Sequence, residues 1–430
     1  MNSISKLPIV NRVAILLTLL FAFAVRSIIG PLLFRGYALW LYYAGLYLCL
    51  GVCLVNSFNR ESNHLYASKY FYSFLLLLLI ILVGLYRSSE ISSIIGYGIA
   101  LLVPFALKPS IKDSMLIPKS FIVIGVILFV GSLLNYLFPI PFRAFVLPLF
   151  SESGQKSVNW QAGISTAFPG FTSQVGYTSY FVSTAIGTLF CFRHIIYKKW
   201  FVPLNIILFF GLFLTGKRGP FVFVFLSIIV VYFCESRDRQ RIVRVFQILM
   251  IFVLSYIALY LLARFTDNLG IKRIFDSIHE IVFTRSIEDQ GREQLRNQAW
   301  IYFSNNPLFG VGWDNFKNIF TLRRTHVHNI YVQLLCETGV IGFSIFVVFF
   351  IKCINVTLKK IKLARSKSNE YSWLMLSLFM QVYFLLYGMT GNPLYDSEET
   401  ILYFFAVGIC YLPMIADSNT SDNYGDEEFV

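Results

Sequence analysis

The chain has 430 residues, of which 57% are hydrophobic and 14% charged, and its mean hydropathy is +0.66. A soluble domain is roughly 45–50% apolar and about a quarter charged, so this chain has too little polar surface to cover a soluble core. Collagen-like, disordered and disulfide-framework proteins are excluded on the same grounds. The net charge of +13 would suggest nucleic-acid binding in a soluble protein, but in a membrane protein it can orient the chain.

Apolar runs recur along the whole chain. A bilayer core needs about 20 mostly apolar residues per helix. The runs are Val13–Leu33, Tyr37–Val55, Tyr70–Tyr86, Ile91–Leu107, Ser120–Phe138, Val175–Ile196, Trp200–Leu214, Phe221–Cys234, Val245–Leu262, Val340–Val356, Tyr371–Met389 and Thr400–Ile415. The predicted fold class is therefore all-α, a polytopic membrane protein of about 12 transmembrane helices with a large external loop between the ninth and tenth helices.

The basic residues predict the topology. With the N-terminus inside, more than half of the 36 lysines and arginines fall in short inner loops, as the positive-inside rule requires. Both termini are then cytoplasmic, and no nucleic-acid partner is needed to explain the charge. The predicted organisation is a helix bundle over 1–263 with an external loop at 139–174, a large external catalytic loop over 264–328, C-terminal helices over 329–416, and an acidic cytoplasmic tail over 417–430.

Two cations lie in a short outer turn, Thr215–Pro220. Pro220 suits the first position of the next helix, so Lys217 and Arg218 are expected beside a helix N-terminus. A guanidinium binds phosphate through two hydrogen bonds, which makes Arg218 the better phosphate clamp and Lys217 a supporting charge. An interfacial anchor that extends its charge to the headgroups is an equally good interpretation.

The large outer loop contains one clear helix pattern, Arg292–Phe303, which ends at Asn305-Asn306-Pro307. Arg292 lies in the first turn, where a cation opposes the helix dipole. A phosphate group docked at that end would explain the placement. The alternative is an ion pair between Arg292 and Glu288, four residues earlier.

His328 lies where the chain re-enters the membrane, and an imidazole is suited to proton transfer near neutral pH. A hydrogen-bonding role at the helix end is the alternative. His326 is close in sequence, but no carboxylate completes a zinc motif, so a zinc site is not predicted. Glu337 enters the apolar region and is a functional candidate for that reason. An ideal helix would place it opposite His328, unless the helix is irregular between them.

The first outer loop carries aromatic and amide side chains at Asn159–Gln161 and Phe168–Gly176. Such side chains suit sugar stacking and hydroxyl recognition, and they equally suit an interfacial aromatic belt. The sequence of this loop therefore does not distinguish sugar recognition from an interfacial aromatic belt.

The segment from Gly291 to Gly342 resembles the signature region of the O-antigen ligase/polymerase superfamily. The matching positions are Gly291-Arg292, Trp300, Asn306–Gly312, Phe316, His328-Asn329, Tyr331, Glu337-Thr338-Gly339 and Gly342. Thr215–Gly219 also resembles the upstream arginine motif of that family, with Lys217 where a serine is usual. Because order and spacing agree over about fifty residues, the combined pattern is specific.

The resemblance implies an inverting, metal-independent glycosyltransferase with a GT-C-like helical fold and no cofactor. Its donor would be a polyprenyl-diphosphate-linked oligosaccharide, undecaprenyl in type, at the outer face of a bacterial inner membrane. Arg218 and Arg292 would hold the diphosphate, and His328 would activate the acceptor hydroxyl. The further residues predicted to contact substrate are Lys217, Arg296, Asn329, Tyr331 and Glu337.

Three functions compete at this point. The first is a polysaccharide polymerase that joins lipid-linked repeat units of an O-antigen, capsule or exopolysaccharide, together with a flippase and a chain-length regulator. The second is a ligase that transfers the glycan to lipid A–core or another terminal acceptor. The third is a flippase or transporter, which would favour charges at mid-membrane and related halves; the two halves of this sequence look unrelated.

Overall fold

The computed structural model describes residues 64–85, 91–107, 111–112, 114–150, 152–164, 167–196, 198–235, 290–320, 325–364 and 368–414, with scattered positions at 47–51 and 243–275. The predicted runs Val13–Leu33, Tyr37–Val55 and Val245–Leu262, the start of the large loop and the acidic tail lie wholly or mostly outside these residues.

The described chain is helical and contains no β-strand. Its principal helices are α1 (His64–Leu85), α2 (Ile91–Ala106), α3 (Leu116–Leu137), α4 (Glu152–Ile164), α5 (Val175–Cys191), α6 (Phe201–Leu214), α7 (Arg218–Glu235), α8 (Gln290–Asn305), α9 (Ile330–Leu363), α10 (Asn369–Tyr387) and α11 (Ser397–Tyr411). The all-α class is therefore confirmed.

Among the described residues, α3, α7 and α9 are long and apolar enough to cross a membrane. Shorter apolar helices occur at Tyr70–Gly84, Ser93–Ala106, Pro139–Leu149 and Phe201–Leu214. The outer faces of α1 and α3 expose leucine, valine and isoleucine side chains, which suits a lipid environment and not water. The protein is a membrane protein, and the number of spans, about twelve, stays a prediction.

The last two helices form the centre of the bundle. Every residue of α11 is buried, and so are most residues of α10. A helix that is apolar on all sides belongs inside a bundle. α11 packs on α2 and α10, and α10 packs on α7.

Ion pairs and lysine hydrogen bonds mark one end of the bundle. Lys112 Nζ donates to Glu370 Oε1 at 2.6 Å and to the Pro413 carbonyl at 2.7 Å. Lys360 Nζ donates to the Leu412 carbonyl at 2.6 Å. The inner loops predicted from sequence thus share one end of the helices with the end of α11. The beginnings of α5, α7, α9 and α11 lie at the opposite end, together with the chemistry-bearing loops.

The segment predicted as the first outer loop is itself partly helical. α4 occupies its middle, and Gln161 at the end of α4 is buried. The Gln161 amide donates to the Ser173 carbonyl at 3.1 Å and accepts the Val175 N–H at 2.8 Å. Gln161 therefore fixes the start of α5, whereas Trp160 stays exposed.

Candidate active site

The cationic turn between α6 and α7 is shaped by its glycines. Gly216 has a φ of +63°, a conformation that favours glycine at a helix C-terminus. A Cβ on Gly219 would lie 2.7 Å from Thr390 Oγ1, so the turn packs closely against the loop after α10. Helix α7 begins at Arg218, two residues earlier than predicted from Pro220. A proline is tolerated there because N–H groups in the first turn have no intrahelical acceptor.

Helix α8 carries Arg292 in its first turn and Arg296 one turn later, which confirms the predicted helix. Arg292 is exposed and Arg296 half-buried. Leu295 and Ala299 follow Arg292 by three and seven residues, so they lie near its face of α8. They form a small buried cluster with Val311, Phe316, Phe320, Val327 and Cys336. This cluster fixes α8 on the loops that precede α9 and so fixes the direction from which Arg292 approaches.

The two halves of the signature region hydrogen-bond to each other. The N–H groups of Val311 and Gly312 donate to the carbonyls of Cys336 and Glu337 at 3.0 and 2.9 Å. In the opposite direction, the Val340 N–H donates to the Pro307 carbonyl at 2.8 Å. These bonds require α9 to open at Gly339, where the backbone leaves the helical region.

Glycines make this exchange possible. Gly339 has a φ of +65°, and a Cβ there would lie 2.2 Å from the Leu308 carbonyl oxygen. Gly310 has a φ of +67°, and its Cβ would lie 2.3 Å from the Glu337 backbone. Both positions therefore need glycine for conformation and for space.

His328 lies just before α9 and adopts a φ of +59°, which is rare for a residue with a side chain. Asn329 caps the helix, and its Oδ1 accepts the N–H groups of Tyr331 and Val332 at 3.0 and 3.1 Å. Asn329 Nδ2 donates to the Met389 carbonyl at 3.2 Å. Asn392 Nδ2 lies 3.2 Å from His328 Nδ1, so the loop after α10 holds both residues.

The segment from His328 to Glu337 is not one regular helix, because α9 begins only at Ile330 and His328 has a positive φ. Glu337 is fully buried beneath the loop before α9, where its Oε2 accepts the Asp314 N–H at 2.8 Å. Tyr331 projects towards α10, and its hydroxyl donates to the Leu385 carbonyl at 2.7 Å.

Three of the predicted residues, His328, Arg292 and Lys217, lie close enough to influence one another electrostatically. Burial, followed by the positive charges of Arg292 and Lys217 and then His326, lowers the pKa of His328 to about 4. Burial and Arg292 also lower the pKa of Lys217, whereas Glu399 raises it. His328 is therefore neutral at physiological pH and lies close to two cations. Arg218 adjoins this group in sequence as the first residue of α7.

Sequence reasoning missed the loop after α10. Asn392, which contacts the imidazole, and Glu399, whose charge reaches Lys217, were not singled out. Gly391-Asn392-Pro393, followed by the acidic start of the last apolar run, was the available signal. Among the described residues, no group of three His, Cys, Asp or Glu side chains could hold a metal ion.

Fold and site define a helical membrane protein with a neutral histidine and a cluster of cations at one end of its bundle. Residues 203–347, which include Arg218, Arg292 and His328, match the family described as O-Antigen ligase. This match confirms the resemblance to the O-antigen ligase/polymerase superfamily seen in the sequence. Members are glycosyltransferase-like enzymes, and the family implies lipid-linked glycan substrates. No curated protein matches the chain.

Proposed function

We propose that the protein is a polysaccharide polymerase that transfers polyprenyl-diphosphate-linked repeat units to an acceptor sugar hydroxyl at the outer face of a bacterial inner membrane. The observation that carries this proposal is the position of His328, which contacts Asn392 at 3.2 Å and lies close enough to Arg292 and Lys217 for their charges to lower its pKa. Cations suit a diphosphate, and a neutral imidazole suits a hydroxyl that must lose its proton. We also propose that the domain boundaries predicted from the sequence are correct and that both termini are cytoplasmic.

The reaction needs one bond made and one broken. The acceptor oxygen attacks C1 of the donor sugar from the face opposite the diphosphate, and the C1–O bond to the diphosphate breaks, so the configuration at C1 inverts. The diphosphate leaves with the electron pair, and Arg218, Arg292 and Lys217 offset its charge. The hydroxyl proton passes to His328. No step requires a metal ion or a cofactor.

Asn392 supplies the orientation that this base requires. Rotating an asparagine amide by 180° exchanges its oxygen and nitrogen. With its oxygen turned to Nδ1, Asn392 accepts the Nδ1 proton, and the Nε2 lone pair of His328 is free to act as base. Either orientation of the Asn392 amide keeps one hydrogen bond to His328 Nδ1, and the proposed mechanism uses the one in which the oxygen faces Nδ1.

The remaining predicted contacts follow from position. Arg296, one turn after Arg292 on α8, would extend the anion site along that helix. Asn329 and Tyr331 use their polar atoms on backbone partners, so we propose that they shape the acceptor side of the site. Glu337 is fully buried, and its proposed action on substrate is indirect.

The test is a His328→Ala variant assayed for chain extension in membranes. We expect long-chain product to disappear, with a rate loss on the order of 10²–10⁴-fold because general base catalysis is lost. The matched control is His194→Ala, since His194 lies beside Glu235 at the opposite end of the bundle. Both proteins should accumulate equally in the membrane. Normal long-chain product in the His328 variant would remove the base from the mechanism.

The second candidate function is that of a ligase, because the family that matches residues 203–347 is described as O-Antigen ligase. Polymerase and ligase use the same class of donor and differ in the acceptor. Offering purified protein the labelled donor with either a second repeat unit or a lipid A–core acceptor separates the two. Product formed only with the core acceptor would establish the ligase.

A further inference from the structure

Gln333 and Glu337 are one turn apart on α9 and are both fully buried. We propose that they are positioning residues, which hold the loop of His328 and the loop of Asp314 in the conformations that the site requires. This inference rests on the proposed role of His328 as the base. It assigns to Glu337 an action through backbone groups, in place of direct contact with the substrate.

Glu337 is the fixed point of the arrangement. Its Oε2 accepts the Asp314 N–H at 2.8 Å, and its Oε1 accepts the Phe316 N–H at 3.2 Å and the Gln333 Nε2–H at 3.0 Å. A carboxylate is an acceptor with two oxygens, so these three donors match its capacity well. Through these bonds, Glu337 ties the loop that follows the signature glycines to α9.

Gln333 extends the arrangement towards His328. Its Nε2 donates to Glu337 Oε1 and lies 2.9 Å from His326 Nδ1, while its Oε1 accepts the Val327 N–H at 3.1 Å. Both amide hydrogens and the oxygen are therefore engaged. Rotating the amide would turn its oxygen towards the Glu337 carboxylate and its nitrogen towards the Val327 N–H. The orientation of Gln333 is thus determined by Glu337.

The backbone conformations show why such an arrangement is needed. Among the described residues, the non-glycine residues with positive φ are Asp314, at +54°, and His328, at +59°. This conformation is costly for a residue with a Cβ and persists only where surrounding contacts enforce it. Glu337 binds the N–H of Asp314 itself, and Gln333 binds the N–H of Val327, immediately before His328.

His328 is consequently held on both sides. Val327 is bound to Gln333 before it, and Asn329 caps α9 after it. With both neighbours fixed, the imidazole is held beside Asn392, where the charges of Arg292 and Lys217 act on it. Loss of the Gln333 amide should free the preceding residue and let His328 relax to negative φ, which would move its ring.

The test compares steady-state kinetics of Gln333→Leu with those of the unsubstituted protein. A misplaced base lowers the rate without weakening the donor site, so we expect kcat to fall about 10²-fold and KM for the lipid-linked donor to stay within about threefold. The matched control is Gln381→Leu on α10. Gln381 is equally buried and donates to Thr357 and Ser377 inside the bundle, so this control removes a buried amide far from the site.

A second pair of variants keeps the test decisive if Gln333→Leu fails to fold. Gln333→Glu preserves shape but places two carboxylates together, and it should be as slow as Gln333→Leu. Adding Glu337→Gln restores a donor to the carboxylate at 333 but removes the acceptor of the Phe316 N–H, so kcat should recover in part, by at least severalfold. A double variant no faster than Gln333→Glu would overturn the inference.

The inference and the proposed function can fail separately. If kcat in Gln333→Leu equals that in Gln381→Leu while His328→Ala is inactive, the base stands and the positioning role is overturned. If His328→Ala is active, the proposed function fails first, whatever the Gln333 variants do.

Discussion

At the scale of single residues, Arg292 and Lys217 influence His328 through charge. The diphosphate of the proposed donor would bring negative charge between these cations and the imidazole. It would therefore offset the charges that hold the pKa of His328 down. The bound enzyme and the free enzyme should thus differ in the pH at which the base becomes protonated.

Because of this difference, kcat/KM and kcat should decline at different pH values on the acid side of their pH profiles. In the free enzyme, the pKa of His328 is about 4, so kcat/KM should hold its value as pH falls and decline only near that value. With donor bound the pKa is higher, so kcat should decline at a higher pH. Both profiles are measured at saturating acceptor. If kcat and kcat/KM declined at the same pH, or if kcat/KM declined at the higher pH, the proposed effect of the bound diphosphate on the pKa of His328 would be contradicted.

Arg218 and Arg292 should both contribute to the affinity for the donor. Arg218→Ala and Arg292→Ala should each weaken binding of a polyprenyl-diphosphate-linked donor about 10- to 100-fold, because each removes a charge-assisted hydrogen bond of roughly 1.5–3 kcal/mol. Binding is measured on purified protein. Arg143→Ala is the matched control, since Arg143 is exposed shortly after the end of α3. Unchanged affinity in both variants would remove the clamp from the mechanism.

At the scale of elements, sequence periodicity was sufficient for α8 but not for α9. The pattern Arg292–Phe303 and its stop at Asn306-Pro307 define α8 to within two residues, because helix signals are local. The opening of α9 at Gly339 is accompanied by hydrogen bonds from the N–H groups of Val340 and Ile341 to the carbonyls of Pro307 and Leu308, more than thirty residues earlier. No local rule contains that information, so the sequence pattern predicts a continuous helix through Gly339.

The same distinction separates the site residues. Arg218, Arg292 and His328 were found from residue type and resemblance, and in the fold the charge of Arg292 lowers the pKa of His328. Asn392 is 64 positions from His328 and meets it only because α10 returns to the same end of the bundle. Gln333 looks like an ordinary helix residue in sequence. Its importance follows from the loops that pack over it.

At the scale of the whole molecule, the two ends of the bundle differ in chemistry. One end carries Lys112, Lys360 and the end of α11. The other carries the cations of the site, the buried acids at the start of α11 and the interlocked loops. Positive charge in short loops favours the cytoplasmic side, so the end with Lys112 and Lys360 is expected inside and the site outside.

This orientation can be tested with an impermeant thiol reagent on intact cells. Ser304, at the exposed end of α8, and Leu363, at the far end of α9, mark the two ends. Ser304→Cys should be labelled from outside, and Leu363→Cys only after permeabilisation, with the unsubstituted chain and its seven cysteines as background. The lipid-linked donor proposed here is used on the outer face, so the labelling and the mechanism depend on each other. Labelling of Leu363→Cys from outside would invert the topology and place the proposed site on the wrong side of the membrane for its donor.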